Sequence, residues 1–158
     1  MDSEKGNYDY LMFADLDYSH EEVEKDVLAW GLWLSKQVAL KGIRFDAVKH
    51  FSEDFLRKFI TTMDEEHGEG WFFVGEFWKD ELSDMSRYLE RMGKKFSLFD
   101  APLVYNFTKL SKIENEDLRT VFDDMLVKIE PINAVVRTPL FVRISSKPSR
   151  EQMEKPRL

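Results

Sequence analysis

Two carboxylates in this chain stand at the ends of short apolar runs that are typical of buried β-strands. Asp46 follows Ile43-Arg44-Phe45, and Glu76 follows Phe72-Phe73-Val74-Gly75. A carboxylate at the end of an apolar strand is costly to bury, so it needs a partner or a chemical role. Two such groups on neighbouring strands are the groups that cleavage of a glycosidic bond requires.

The residues around the two carboxylates suit that chemistry. Arg44 lies two residues before Asp46 and therefore points to the same face of the strand, where a guanidinium favours an ionised carboxylate. Glu76 is flanked by aromatic residues that could supply the apolar surroundings of a proton donor, namely Phe73, Phe77 and Trp78. Taken on their own, Arg44 and Asp46 are more often an ion pair that closes a strand end.

The elements that position these residues alternate between strand and helix. Helical patterns separate three predicted strands, at residues 43–48, 71–76 and 96–99. Such alternation with short connections predicts a parallel sheet with helices outside it. The functional edge of such a sheet is the carboxyl end of its strands, and Asp46, Glu76 and Asp100 all fall near that edge.

Apolar periodicity and capping residues predict four helices. Ser19 and Glu22 have the spacing of a capping box, and Gly42 is expected to end the first helix. The apolar stripe of that helix is Val23, Val27, Trp30, Leu34 and Val38. The others are a helix between Ser52 and Gly68 with the stripe Phe55, Phe59, Ile60 and Met63, a helix ending at Gly93 with Leu82, Met85, Leu89 and Met92, and a helix at 117–126.

Several segments follow the order and spacing of one enzyme family. The run from Gly42 to His50 has the pattern G-x-R-x-D-x-x-K-H, and the run from Phe73 to Trp78 places a glutamate at the end of the next strand. Upstream lie Asn7-Tyr8-Asp9-Tyr10-Leu11-Met12 and then Ala14-Asp15-Leu16-Asp17-Tyr18 with His20. Over about residues 6–133 the chain resembles the α-amylase family of retaining glycoside hydrolases (family 13). It is most similar to liquefying bacterial and intracellular fungal members.

The resemblance implies a fold and a division of the chain. The family's catalytic domain is a (β/α)8 barrel, which takes roughly 250 residues, whereas this chain has 158. We therefore expect an α/β fold that is part of a TIM barrel, made of its middle β/α units. The expected parts are the end of a small inserted calcium-linked domain at 1–18, the partial barrel at 19–133 and an atypical, disordered tail at 134–158.

The resemblance also implies roles for site residues. Asp46 takes the place of the nucleophile, Glu76 that of the general acid/base, and Arg44 supports the nucleophile. The residues implied to bind substrate are Lys49, His50 and Trp78. The implied substrate is an α-glucan such as starch, glycogen or maltooligosaccharides, cleaved at internal α-1,4-glucosidic bonds with retention of configuration.

Calcium is the implied cofactor. Asp9, Asp15 and Asp17 form an acidic cluster, and calcium takes six to eight oxygen ligands. The resemblance adds the backbone carbonyl of His50. Ser19 stands where the resembled bacterial enzymes have another aspartate, and other ligands lie upstream in the family, so we expect an incomplete site and weak binding.

The third catalytic carboxylate of the family has no counterpart at its expected position. It belongs to an Asn-His-Asp segment, expected a few residues after Val135, but the chain continues Val136-Arg137-Thr138-Pro139 and has no aspartate after Asp124. Residues 134–158 hold six Lys/Arg and two Asp/Glu, a change in composition that indicates an altered reading frame or splice site. We therefore expect the isolated chain to be inactive.

Composition limits the partners and leaves two alternatives open. The formal charge of −7 argues against nucleic acid and anionic membranes, and no apolar run is long enough to span a membrane. The absence of cysteine and the polar first residues favour the cytoplasm. The first alternative is a non-catalytic remnant that binds glucan or a protein partner through aromatic residues. The second is a translation product without a stable fold.

Overall fold

The computed structural model describes residues 16–50, 52–68, 70–93, 95–113 and 117–136. Within these ranges the chain alternates between helices and strands. The helices are α1 (Glu21–Gln37), α2 (Glu53–His67), α3 (Leu82–Arg91), α4 (Ala101–Leu110) and α5 (Leu126–Ile129). The strands are β1 (Gly42–Phe45), β2 (Phe72–Gly75), β3 (Ser97–Phe99) and β4 (Ala134–Val135), and 3₁₀ turns lie at Val48–His50 and Leu118–Phe122.

The four strands form one parallel sheet in the order β1-β2-β3-β4. In register, Phe45 lies opposite Gly75, Gly75 opposite Leu98, and Leu98 opposite Ala134. Each strand pairs with the one before it in the chain, and a helix connects them. This is the arrangement of consecutive units of a (β/α)8 barrel, and it confirms the predicted fold class.

The hydrophobic core lies between one face of the sheet and helices α2 and α3. The predicted stripe of α2 is buried, and so are Met85, Leu89 and Met92 of the next helical unit. The Ser52 hydroxyl accepts a hydrogen bond from the Phe55 N–H at 3.2 Å, which confirms the predicted N-cap. Gly68 follows α2 with a φ of 79°, the left-handed backbone that favours glycine.

Helix α1 differs from the prediction at its start and in its buried face. Ser19 does not cap it, since the helix begins at Glu21 and its N-cap position is taken by His20, without a side-chain capping bond. The Ser19 N–H instead donates to the Asp17 carboxylate at 3.0 Å. Gly31 and Ser35 are buried, whereas Trp30 is 56% exposed. A Cβ at Gly31 would lie 2.5 Å from the Phe59 ring. The close approach of α1 to α2 therefore decides which face is buried.

Gly42 opens β1 and does not end the first helix, which stops at Gln37. A Cβ at Gly42 would lie 2.2 Å from the carbonyl oxygen of Phe72. The absence of a side chain is therefore required by the close pairing of β1 with β2, a reason that helix-ending patterns do not reveal.

The chain after β3 also corrects the prediction. The sequence did not predict a helix at α4. The Asp100 carboxylate caps this helix by accepting a hydrogen bond from the Leu103 N–H at 3.1 Å, and Pro102 lies in its first turn. Asp100 is fully buried and also accepts from the Val127 N–H at 2.9 Å, so it is a structural group. The predicted helix at 117–126 is interrupted, since Asp124 has a left-handed φ of 51°.

The ends of the expected parts fall partly outside the described residues. Ala134 and Val135 pair with β3, so the segment expected to be a tail begins inside the sheet. The rest of that segment from residue 137, and residues 1–15 of the expected inserted domain, lie outside the described ranges. Within the described residues, no helix combines the length and the apolar character needed to cross a bilayer.

Candidate active site

The two sequence-predicted carboxylates lie side by side at the carboxyl ends of β1 and β2. The Glu76 N–H donates to the Phe45 carbonyl at 2.9 Å, and the Val48 N–H donates to the Glu76 carbonyl at 3.1 Å. These bonds continue the pairing of the two strands beyond their last residues. The backbone thus fixes Asp46 and Glu76 as neighbours at one edge of the sheet.

One guanidinium links both carboxylates. Arg44 Nη2 lies 2.7 Å from Asp46 Oδ1 and 3.0 Å from Glu76 Oε1. The contact between Arg44 and Asp46 agrees with their position on one strand face, and the contact with Glu76 adds a partner that the sequence did not indicate. Because both oxygen atoms contact the same nitrogen atom, the distance between them cannot exceed the sum of these two N–O distances.

The two carboxylates differ in their access to solvent. The side chain of Asp46 is 72% exposed, whereas that of Glu76 is only 13% exposed. The Arg44 guanidinium lies 6.0 Å from the centroid of the Phe99 ring, which borders the same site from β3. The pair therefore offers one carboxylate that a ligand can reach freely and one that is sheltered.

The backbone between β1 and the following 3₁₀ turn is strained. Ala47 has a φ of 49°, a left-handed conformation that costs a non-glycine residue about 1–2 kcal/mol. It turns the chain so that Val48, which is fully buried, anchors the segment directly after Asp46. Such strain is maintained where the surrounding structure fixes a functional side chain.

The predicted substrate-binding residues Lys49 and Trp78 contact each other. Lys49 Nζ donates to the Trp78 carbonyl at 3.2 Å, which connects the segments after β1 and β2. The half-buried Trp78 ring meets the Tyr105 ring edge to face at 6.2 Å between centroids. Burial and the charge of Asp80 raise the pKa of Tyr105. Tyr105 was missed because no helix was predicted at α4.

Only part of the expected calcium site lies within the described residues. Asp17 and His50 are described, but Asp9 and Asp15 lie outside the described ranges. Within those ranges no group of three or more His, Cys, Asp or Glu side chains could hold a metal ion. Hydrogen bonds from Ser19 hold the pKa of the Asp17 carboxyl well below its usual range, and they tie this carboxylate to the turn before α1.

Curated relatives match most of the chain. No family model matches it. It is 41% identical to the glucan 1,4-alpha-maltohexaosidase of Bacillus sp. (strain 707) over 136 residues. This alignment covers 85% of this chain and 26% of that protein. It is 38% identical to the alpha-amylase of Bacillus licheniformis over 134 residues, and this alignment covers 84% of this chain and 26% of the relative.

Solved structures agree with this relationship at the level of the fold. The chain is similar to an Anoxybacillus alpha-amylase with a TM-score of 0.61 and 21% identity, covering 70% of this chain and 24% of that one. It spans about a quarter of the length of the curated relatives it matches. The curated relatives, together with the segments at the ends of β1 and β2, show that the chain belongs to the α-amylase family and corresponds to one segment of the family's longer proteins.

Proposed function

We propose that this segment supplies the nucleophile, Asp46, and the general acid/base, Glu76, of a retaining hydrolase of internal α-1,4-glucosidic bonds. The contact of one Arg44 nitrogen with both carboxylates carries this proposal. The bridged oxygen atoms are closer than the roughly 6.5–9.5 Å that separates the carboxyl groups of inverting enzymes. Their spacing supports the retaining arrangement of roughly 5–5.5 Å.

The difference in exposure supports the assignment of roles. The exposed Asp46 can reach an anomeric carbon, and Arg44 orients it for attack. The sheltered Glu76 delivers a proton to the leaving oxygen and then accepts one from the water that releases the sugar. Proton delivery requires the contact between Glu76 and Arg44 to open when substrate enters the site.

An α-glucan is the substrate class that the relatives support. The name of the Bacillus sp. relative specifies a glucan with α-1,4 bonds. In this chain the Trp78 and Tyr105 rings lie beside the strand ends, and ligand sites are commonly lined by aromatic side chains with a few polar groups. Lys49, which bonds the Trp78 carbonyl, connects this aromatic pair to the segment that follows Asp46.

We expect no turnover from the chain alone. Its sequence has no aspartate after Asp124, so the Asn-His-Asp carboxylate of the resembled enzymes has no equivalent in it.

A segment exchange tests the assignment. Residues 16–135 replace the matching segment of the Bacillus licheniformis alpha-amylase, which supplies the remaining strands. Asp46→Asn should then abolish turnover, because an amide cannot form the glycosyl–enzyme bond. Glu76→Gln should also lose turnover of starch, but a glycosyl fluoride needs little protonation and should rescue its first step.

The matched control is Asp123→Asn, which changes an exposed carboxylate paired with Lys128. It should leave turnover unchanged. Rescue of Asp46→Asn and not of Glu76→Gln would show that the two roles are reversed. Equal and mild losses in both variants would refute the site.

A non-catalytic glucan-binding role is the second candidate. It is favoured by the aromatic pair of Trp78 and Tyr105 in a chain whose sequence lacks the third carboxylate. Titration of the isolated chain with maltoheptaose should then show binding that Trp78→Ala weakens. Absence of binding at millimolar sugar would exclude this role.

A further inference from the structure

An aromatic side chain of the core, Phe96, packs against the ends of both strands that carry the carboxylates. It precedes β3 directly and is fully buried. Its ring centroid lies 6.0 Å from that of Phe45, the residue directly before Asp46. A Cβ at Gly75, the residue directly before Glu76, would lie only 2.5 Å from the same ring. One ring therefore packs against the residue before each carboxylate.

Val48 completes this packing unit. A Cβ at Gly75 would lie 3.0 Å from Val48 Cγ1, and Val48 is fully buried. Val48 follows Asp46 by two residues, and its N–H donates to the Glu76 carbonyl at 3.1 Å. Phe96 and Val48 thus leave no room for a side chain at Gly75, at the point where the two carboxylate segments are hydrogen-bonded to each other.

The surroundings of Phe96 keep its ring in place. The ring centroid lies 6.2 Å from that of Tyr88 on α3, a residue that is also fully buried. Protein interiors are packed as densely as organic crystals, so a buried ring transmits a displacement to its neighbours. A change of volume at Gly75 or at Phe96 should therefore move Glu76 relative to Asp46.

We propose that Phe96 is a positioning residue for the reaction and that its ring acts through Gly75. By filling the space next to Gly75, Phe96 sets the separation between Asp46 and Glu76. Retaining hydrolysis depends on this separation, because one carboxylate attacks the sugar while the other carboxyl, roughly 5–5.5 Å away, protonates the leaving oxygen. Phe96 does not reach the substrate itself, since it is fully buried. This inference rests on the proposed hydrolase function.

Gly75→Ala in the segment-exchanged enzyme tests the role. The added methyl group meets the Phe96 ring, which is held by its neighbours, so Glu76 should be displaced. A misplacement of about 1 Å costs about 10²-fold, and we expect kcat for starch to fall by that factor with KM little changed. A glycosyl fluoride needs little protonation, so fluoride release in the first step should fall about tenfold less. Equal losses with both substrates would overturn the proposal.

Gly31→Ala is the matched control. A Cβ at Gly31 would lie 2.5 Å from the Phe59 ring, the same distance as from a Cβ at Gly75 to the Phe96 ring. Gly31 and Phe59 lie on α1 and α2, which carry neither carboxylate. The melting temperature should therefore fall as in Gly75→Ala, while the ratio of starch turnover to fluoride release stays unchanged. A shift of this ratio in Gly31→Ala would show that any crowding of the core disturbs the site, and it would overturn the specific role of Phe96.

Phe96→Leu gives a second test that adds no atom to the core. Leucine lacks the two ring atoms nearest to a Cβ at Gly75, so it makes room for the methyl group of Gly75→Ala. The double variant should recover about tenfold of the lost starch turnover, and no recovery would overturn the proposal. Phe96→Leu alone should lower starch turnover more than fluoride release, and it decides the question if Gly75→Ala does not fold. An unchanged ratio in Phe96→Leu, with turnover lost in Asp46→Asn and Glu76→Gln, would refute this inference and leave the proposed function in place.

Discussion

The two ends of the sheet are built in opposite ways. At the carboxyl end, Arg44, Asp46 and Glu76 bring three charged groups to an edge where Asp46 is open to solvent. At the amino end, a hydrogen bond between Ser35 and His67 joins α1 to α2, and Gly42 allows close strand pairing. The proposed chemistry and the packing contacts therefore lie at different ends of the same strands, the division that parallel α/β barrels commonly show.

The amino end shows why a serine beside a histidine need not be a nucleophile. The Ser35 hydroxyl donates to the Leu32 carbonyl at 2.8 Å, so it accepts from His67 Nε2 at 2.7 Å. The His67 ring also stacks on Trp71, with 4.5 Å between centroids. A serine whose proton is bound to a backbone carbonyl, and whose histidine partner donates to it, is arranged for packing.

Among the variants that compare the two ends of the sheet, Arg44→Leu should change turnover most. In the segment-exchanged enzyme, Arg44→Leu removes the group that contacts both carboxylates, and we expect turnover to fall by about 10²–10³. The melting temperature should change little, because the side chain is 44% exposed. Steady-state kinetics and calorimetry measure the two quantities. Arg119→Leu, which breaks a surface pair with Asp117, is the control, and an equal loss there would contradict the comparison.

Gly42→Ala should have the largest effect on stability. Its Cβ would lie 2.2 Å from a backbone oxygen that cannot move away without breaking the strand pairing. We expect the free energy of unfolding to fall by about 1–3 kcal/mol or more. Urea titration measures this loss. Gly68→Ala meets no atom within 4 Å but has a positive φ, so its cost should be smaller, about 1–2 kcal/mol. A neutral Gly42→Ala would disprove the packing explanation.

Ser35→Ala should lower stability without affecting turnover. It leaves His67 Nε2 without its part-buried partner, and the expected loss is about 1–3 kcal/mol. Thermal unfolding and kinetics of the segment-exchanged enzyme measure the two effects. Thr62→Ala, which removes another helix hydroxyl bonded to a backbone carbonyl, is the control. Loss of turnover with unchanged stability in Ser35→Ala would place chemistry at the amino end.

The smallest expected effect depends on pH. Lys36 bonds Glu66 at 2.6 Å, and this bond together with the charge of Lys36 lowers the pKa of Glu66 from its ordinary 4.5. Because the pKa is lower in the folded state, this stabilisation is present above pH 4.5 and is lost as the pH falls through the folded value. Unfolding free energies measured from pH 6 to pH 2.5 should therefore fall less steeply in Glu66→Gln. Glu65→Gln is the control, and an unchanged slope in Glu66→Gln would contradict the role of the ion pair.

The sequence predicted the central units better than the outer ones. The α2 stripe and the Ser52 cap follow from local patterns, because a helix that packs on the sheet along its whole length shows an apolar period. The packing of α1 depends on Gly31 and Ser35, small residues that apolar patterns do not count. Asp100 followed by Pro102 was a signal for the start of α4, but Asp100 was interpreted as part of the functional edge.

The sequence predicted which side chains lie at this end of the sheet, but it did not predict which of them contact residues of another strand or helix. Strand alternation places Arg44 and Asp46 on one face, as the structure shows. The bond from Arg44 to Glu76 depends on the register between β1 and β2, which a single sequence does not contain. The place of Tyr105 beside Trp78 depends in the same way on α4.

The match between strand order and chain order affects how the molecule can be synthesised. Since each strand pairs with the one preceding it in the chain, every new unit that leaves the ribosome finds its docking surface already made. Contacts between neighbouring units keep loop-closure costs low, which favours rapid, stepwise assembly from the amino terminus. The last of the described strands to arrive, β4, has only two residues, so it adds the weakest pairing of the four to the growing sheet.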